Sequence, residues 1–371
     1  MTMADKTGIQ WTDATWNPVI GCRRVSEGCR NCYAEFQAMR IVAQQRANGN
    51  ESEYVEVIKT RDCKRCEGTG TLVGRWVTGK EYMRSDCPTC LGTGQAPAPL
   101  WNGKCVFLPK RLDQPLRWTK PRMVFVNSMS DLFHEDLTFP QIAAVFGVMA
   151  AAEKHTFQVL TKRPGRIREF FDWLDGMAQR AAFPKESIDW RRRHILHAAM
   201  LKHVTLKKDP GTGSDWPIPN VWLGTSVEDQ DTADVRIPLL LQSPAAIRFL
   251  SAEPLLGALD LEEVPWRPYA DLHWVIVGGE SGSGARECDA SWVREIVQTC
   301  QRAGVAVFVK QLGKHVIHHG CTGPGEHWPD GTKKTDNGRG TFDIKLVHHK
   351  AADPEEWPED LRVREWPKID E

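Results

Sequence analysis

The chain has 371 residues and balances 48 Lys and Arg against 48 Asp and Glu, so its formal net charge is zero. No global field selects nucleic acid or a membrane, and any such partner must be met by a local patch. No run reaches the roughly 18 apolar residues of a membrane span, and MTMADKTGIQW lacks the apolar core of a signal peptide. A cytoplasmic location with no membrane partner is expected, and in that reducing setting eleven cysteines read as metal ligands rather than disulfides.

A first strand is predicted around IQWTDATWNPVIG. Directly after it, GCRRVSEGCRNCYAE places Cys22, Cys29 and Cys32 in the pattern C-x6-C-x2-C. Three close thiolates are one short of a closed zinc site. They suit a cube-type iron–sulfur cluster with one iron left open, or a zinc ion completed by a distant His or Cys. The segment 58–98 then brings CKRCEGTG and CPTCLGTG, a C-x2-C…C-x2-C pattern in Cys63, Cys66, Cys87 and Cys90. This spacing predicts a zinc ribbon, with glycines where the tight turns after each pair need unhindered backbone. The repeated CxxCxGTG resembles the zinc-binding half-motifs of the DnaJ chaperone family, a local likeness that implies zinc and not chaperone activity. Such a ribbon can staple a loop, or touch a polynucleotide through Arg61, Lys64, Arg65, Arg75, Lys80 and Arg84.

Six further apolar runs follow: RMVFVNSMSD, TFQVLTKRP, NVWLGTSVED, AIRFLSAEP, HWVIVGGESG and VAVFVKQLG. Each is continuous rather than alternating, the mark of strands buried on both faces. Helical segments lie between them. FPQIAAVFGVMAAAEKH has helical spacing, and DASWVREIVQTCQRAG is predicted to start at Asp289 or Ser291 and stop at Gly304. The alternation predicts an α/β fold, a complete or partial (β/α) TIM-like barrel over 1–315, with a doubly wound sheet as the alternative. Polar residues gather where the strands end: Asn127, Ser128 and Asp131; Lys162; Thr225, Ser226 and Glu228; Glu253; Lys310. A barrel carries its chemistry at that rim. Lys162, Glu253 and Lys310 are candidates for proton transfer.

A second interruption, 176–218, is expected to be helical and basic. From Arg180 to Lys208 it carries eight Lys or Arg against two acids, so a phosphate-gripping face is expected, with a solvated surface helix as the plain alternative. Residues 316–371 show no period and are expected to form an irregular extension.

Three cysteines in a loop after the first strand of a β/α barrel resemble the radical S-adenosylmethionine superfamily, whose commonest spacing is C-x3-C-x2-C. The resemblance implies a [4Fe–4S] cluster on Cys22, Cys29 and Cys32, and S-adenosyl-L-methionine on the open iron. It also implies an electron donor as partner. By position it implies cofactor contacts from Asn127, Ser128 and Asp131, and ribose contacts from Thr225, Ser226 and Glu228. The literal GGE at Gly278–Glu280 follows the sixth predicted strand, whereas the superfamily's glycine-rich GGE follows the second. IQWTDATWNPVIGC, GCRNCYAE, FQVLTKRP, LSAEPLLG, WVIVGGESGSGAR and FVKQLG together resemble an uncharacterised phage-associated three-cysteine family. This implies the cytoplasm of a bacterial host if the chain is phage-encoded. The expected function is a radical enzyme, isomerase, lyase or transferase, that modifies a base or base adduct in DNA or a modified nucleotide. The alternative is a non-catalytic zinc protein that binds nucleic acid.

Overall fold

The computed structural model describes residues 7–69, 71–75, 81–86, 95–206, 211, 213, 215–263, 271–282, 284–319, 328–348 and 350–368. Its centre is a seven-stranded sheet: β1 (Ala14–Trp16), β2 (Met123–Val126), β3 (Thr156–Thr161), β4 (Val221–Ser226), β5 (Ile247–Ala252), β6 (Trp274–Gly278) and β7 (Ala306–Gln311). All pairings within it are parallel. The strands lie in chain order, without the reversal that a doubly wound sheet requires. The sheet curls into a half-barrel, the partial form of the expected architecture.

Each apolar run became one strand for the reason its composition gives: every residue of β4 and of β6 is buried. One face of the sheet packs against helices through Val124, Phe157, Val159, Leu223, Val275 and Val307. The concave face holds a separate cluster of Trp11, Phe125, Trp222, Phe249, Trp274 and Phe308. Gly224 makes room for it, because a Cβ there would lie 2.5 Å from the Phe249 ring. This aromatic plug fills the base of the half-barrel and leaves the C-terminal rim to polar side chains.

The helices are α1 (Tyr33–Ala47), α2 (Phe139–Ala151), α3 (Pro164–Arg180), α4 (Ile188–Leu201), α5 (Gln230–Leu241) and α6 (Ala290–Ala303). The predicted ends of α6 are realised: Asp289 caps it by accepting from Ser291 N, and Gly304 closes it at φ 70°. Helix α4 lies in the basic segment, but it is no free surface helix. Its Leu196, Ala199 and Met200 are buried, and a Cβ on Gly147 of α2 would meet the Leu196 carbonyl at 2.2 Å. Arg192 is held by Asp175 and Asp189 at 2.6 Å each, and Arg193 is buried. Helix α3 leaves the rim directly after β3 and runs 17 residues back along the sheet, about 25 Å at helical rise. The turn into α4, with Arg191, Arg192 and Arg193, therefore sits at the end of the barrel opposite the rim.

The tail corrects another expectation. Residues 316–371 are not irregular throughout. His315–His319, Lys333–Asp336 and Thr341–Lys345 form a four-stranded sheet with Glu287–Asp289. Farther on, Val309 N bonds to Val363 O and Glu365 N to Val307 O, both at 2.9 Å, so the tail continues the sheet past β7. Arg364 also reaches Gln10 at 3.3 Å. No helix among the described residues is long and apolar enough to cross a membrane.

Candidate metal centre

The three-cysteine loop starts where β1 ends. Val19–Ile20 pairs antiparallel with Val106–Phe107, and Gly21 turns the chain at φ 85°. A Cβ on Gly21 would lie 2.3 Å from the Lys104 carbonyl, so only glycine fits this turn. A short 3-10 turn, Glu27–Cys29, follows. Cys32 then occupies the N-cap position of α1, where the helix dipole favours a thiolate.

The loop is tied to four strand ends. Ser26 Oγ donates to Glu228 Oε1 at 2.8 Å, beyond β4. Asn31 Nδ2 donates to Glu280 Oε2 at 2.9 Å, beyond β6. Tyr33 OH donates to Ser128 O at 2.7 Å, beyond β2. Arg163, beyond β3, donates from Nη2 to Arg23 O at 3.3 Å and stands with Nη1 4.0 Å from Cys22 Sγ. Arg24 pairs with buried Glu35 on α1, whose Oε1 also accepts from Trp101 N at 3.0 Å.

Cys22, Cys29 and Cys32 line one cavity of about 290 Å³ at the C-terminal rim. Asn127, Ser128, Asp131, Lys162, Ser226, Glu253 and Lys310 line it too, so most of the expected site residues do converge. Two do not line it. Thr225 is fully buried and donates to Thr161 O at 2.9 Å. Glu228 is buried beneath the wall, paired with Lys162 and with Arg236 at 3.0 Å. These two are struts beneath the wall rather than lining residues.

The charges on the wall are already matched. Asp131 accepts from Thr161 Oγ1 at 2.7 Å and from Arg163 at 3.0 Å, and Arg163 also holds Glu135 at 2.9 Å. Lys310 lies 2.9 Å from Glu253. Glu280 lines the cavity although the strand count sets its motif aside. Burial would raise the Glu280 carboxyl, but hydrogen bonds from Arg286 and Asn31 outweigh it and hold the group below the usual range. Sequence reasoning placed Ser251 and Gln311 at the rim, where they line the cavity, but passed over Trp11 and Trp101. Trp11 stood within the first predicted strand, but nothing in its spacing said that it faced inward.

Asn127 is the exception to the matched wall. It is 3% exposed and has neither amide atom hydrogen-bonded. It also holds φ 61°, a left-handed conformation that Asn tolerates better than most residues. A buried amide without partners costs stability, and its place in the cavity wall fits a bound polar group that supplies them.

The donor chemistry at the cavity is that of thiols. Among the described residues, no group of three or more His, Cys, Asp or Glu side chains is placed to hold a metal ion. Yet three thiols face one cavity, and thiolates are the ligands of iron–sulfur clusters. Burial pushes the Cys22 thiol up to about 12 and raises Cys32 as well. Metal binding would have to displace those protons, with Arg163 beside Cys22 offsetting part of the resulting negative charge.

In the ribbon segment, Ile58–Asp62 pairs with Gln95–Trp101. Cys63 and Cys66 are buried in a turn in which Gly68 N bonds to Cys63 O at 3.2 Å, with Gly68 at φ 81°. The other two expected zinc ligands, Cys87 and Cys90, lie outside the described residues. No curated protein and no solved structure matches the chain. Residues 6–353 match the family model described as "Protein of unknown function (DUF5131)", and the chain belongs to that family.

Proposed function

We propose that this chain is a radical S-adenosylmethionine enzyme whose cluster is held by Cys22, Cys29 and Cys32. One observation carries the reading: the three thiols of a single loop after β1 face a cavity at the C-terminal rim of a parallel half-barrel, with polar strand ends around them. When bound, a [4Fe–4S] cluster supplies one electron for cleavage of the S-adenosylmethionine sulfonium, giving methionine and a 5′-deoxyadenosyl radical.

The chain's own residues would do the rest. Arg163 compensates thiolate charge at Cys22, and the N-terminus of α1 does so at Cys32. Asn127 offers an amide donor and an amide acceptor to a cofactor held between the loop and β2. Lys310 and Glu253 hold a proton between them at the far wall, placed to give it to or take it from a substrate. The aromatic plug closes the floor against water, which protects a reactive intermediate from side reactions. Zinc on Cys63, Cys66, Cys87 and Cys90 would pin the ribbon.

The test is anaerobic reconstitution followed by iron analysis and by reduction with S-adenosylmethionine present. About four irons per chain and slow release of 5′-deoxyadenosine are expected. Cys29→Ala should abolish both. A colourless protein that takes up zinc alone would overturn this reading in favour of a non-catalytic zinc protein.

A further inference from the structure

The basic run on α4 points away from the cavity, so it cannot lead a polymer there. A different set of cations starts at the mouth and runs out along the segment that leaves it. Arg30 is exposed and sits between cavity-lining Cys29 and Asn31. Trp101 lines the cavity and pairs with Ile58 at the root of the ribbon. Beyond that pair the chain reads KTRDCKRCE, in which Lys59, Arg61, Lys64 and Arg65 are all exposed. The acids in this run are Asp62 and Glu67. Among the described residues none of Arg30, Lys59, Arg61, Lys64 and Arg65 has an ion-pair partner. This is unlike Arg192, which two aspartates hold.

Committed cations contribute little to a partner, whereas uncommitted ones release counterions when phosphates replace water. The cavity beside them has Trp11, Phe125 and Trp101 in its lining, apolar rings of the kind on which bases stack. A recess of about 290 Å³ does not admit a duplex. A base in a polymer reaches such a pocket only from a single strand or by extrusion.

We propose that the ribbon root and the three-cysteine loop form a phosphate track for single-stranded nucleic acid, which delivers one base to the cavity. This rests on the radical-enzyme reading for what happens to the base, and on the geometry alone for where the strand lies. A membrane surface is the rival occupant of a basic patch. The aromatic-lined cavity beside this patch favours nucleic acid.

The test uses the full chain without cluster and a fluorescein-labelled single-stranded DNA oligonucleotide, read by anisotropy between about 50 and 200 mM salt. Affinity should fall steeply with salt. Replacing Lys59, Arg61, Lys64 and Arg65 together by Ala should flatten the log–log slope by about 3, at about 0.7 per lost phosphate contact on a single strand. Exchanging Arg61 and Arg65 for Lys should keep the slope, which guards against a folding defect. Replacing Arg191 and Arg192 by Ala should leave it unchanged. The proposal is overturned if the wild type shows no salt-sensitive binding, if only the Arg191 and Arg192 variant loses it, or if vesicles of phosphatidylserine bind and the oligonucleotide does not. Deoxyadenosine release without substrate is read in parallel on the reconstituted, reduced protein. If it is absent while the oligonucleotide still binds through the ribbon, the radical reading fails and the track stands.

Discussion

Asn31 Nδ2 donates to Glu280 Oε2 at 2.9 Å and to Gly284 O at 2.9 Å, so the residue between two of the three cysteines is clamped to the segment after β6. The same Glu280 accepts from Arg286 at 2.8 Å. On the proposed cluster reading the loop would have to hold its spacing before metal arrives, and this clamp ties it to the segment after β6. Glu280→Ala should therefore lower iron retention under a chelator challenge by several-fold, with melting changed far less than by losing a core residue. Iron retention equal to wild type would show that the clamp is incidental.

Gly28 offers a steric test of the same loop. A Cβ there would lie 2.4 Å from the Glu228 side chain, which Lys162 and Arg236 pin in place. Gly28→Ala should displace the loop at a cost of about 1–3 kcal/mol and lower iron per chain on reconstitution. Full iron loading at unchanged melting temperature would mean that the wall yields easily.

Glu228 itself should behave as a strut. Replacing it with Ala leaves Lys162 and Arg236 facing each other without their shared anion, which should cost about 3 kcal/mol in chemical denaturation. Glu228→Gln should cost less, since its one amide oxygen keeps the hydrogen bonds on one side. If Glu228→Ala folded normally and lost only cofactor affinity, the residue would belong to the cofactor site after all.

Asn127→Gly separates stability from function. Glycine takes the left-handed backbone freely, and the amide without partners is removed. The empty protein should melt at the same temperature or higher, while S-adenosylmethionine binding, read by calorimetry, should weaken about tenfold, near the value of one hydrogen bond to a charged group. Equal affinity would leave the orphaned amide without a role.

The pH dependence of stability should include His155. Its Nε2 lies 3.1 Å from Pro115 O and its Nδ1 has no partner. Burial lowers its pKa from the usual 6.5, only partly offset by the Pro115 carbonyl. The unfolded chain therefore binds the proton more readily. The contribution is present above the unfolded value and is lost as pH falls through the folded one. His155→Gln should flatten the decline in melting temperature on going from neutral to mildly acidic pH. An unchanged profile would assign that decline to other groups.

Much of this was legible because burial on both faces writes an unbroken apolar run, and six such runs became β2 to β7 in order. That Cys22, Cys29 and Cys32 line one cavity was legible because residues of one short loop stay together in the fold. The tail was not. His315–His319 mixes buried Val316 and Ile317 with histidines, and Lys333–Asp336 is exposed throughout, so no period marks either as a strand. The arginines of α4 misled for a different reason. A charge run shows that cations are present, but not that Asp175 from another helix consumes one of them. Glu280 was set aside because a strand count locates a residue along the rim, while the loop that crosses the mouth brings a distant strand end beside the cysteines.

The pairing of Val363 and Glu365 with β7 also has a consequence for synthesis. Strands β1 to β7 emerge from the ribosome in the order in which they lie side by side, so each can dock on the one before it. The last of them stays bare until Val363 has been added and has emerged. Through that interval the growing chain presents an unpaired strand to any other growing chain nearby, and this is when it is most in need of a chaperone.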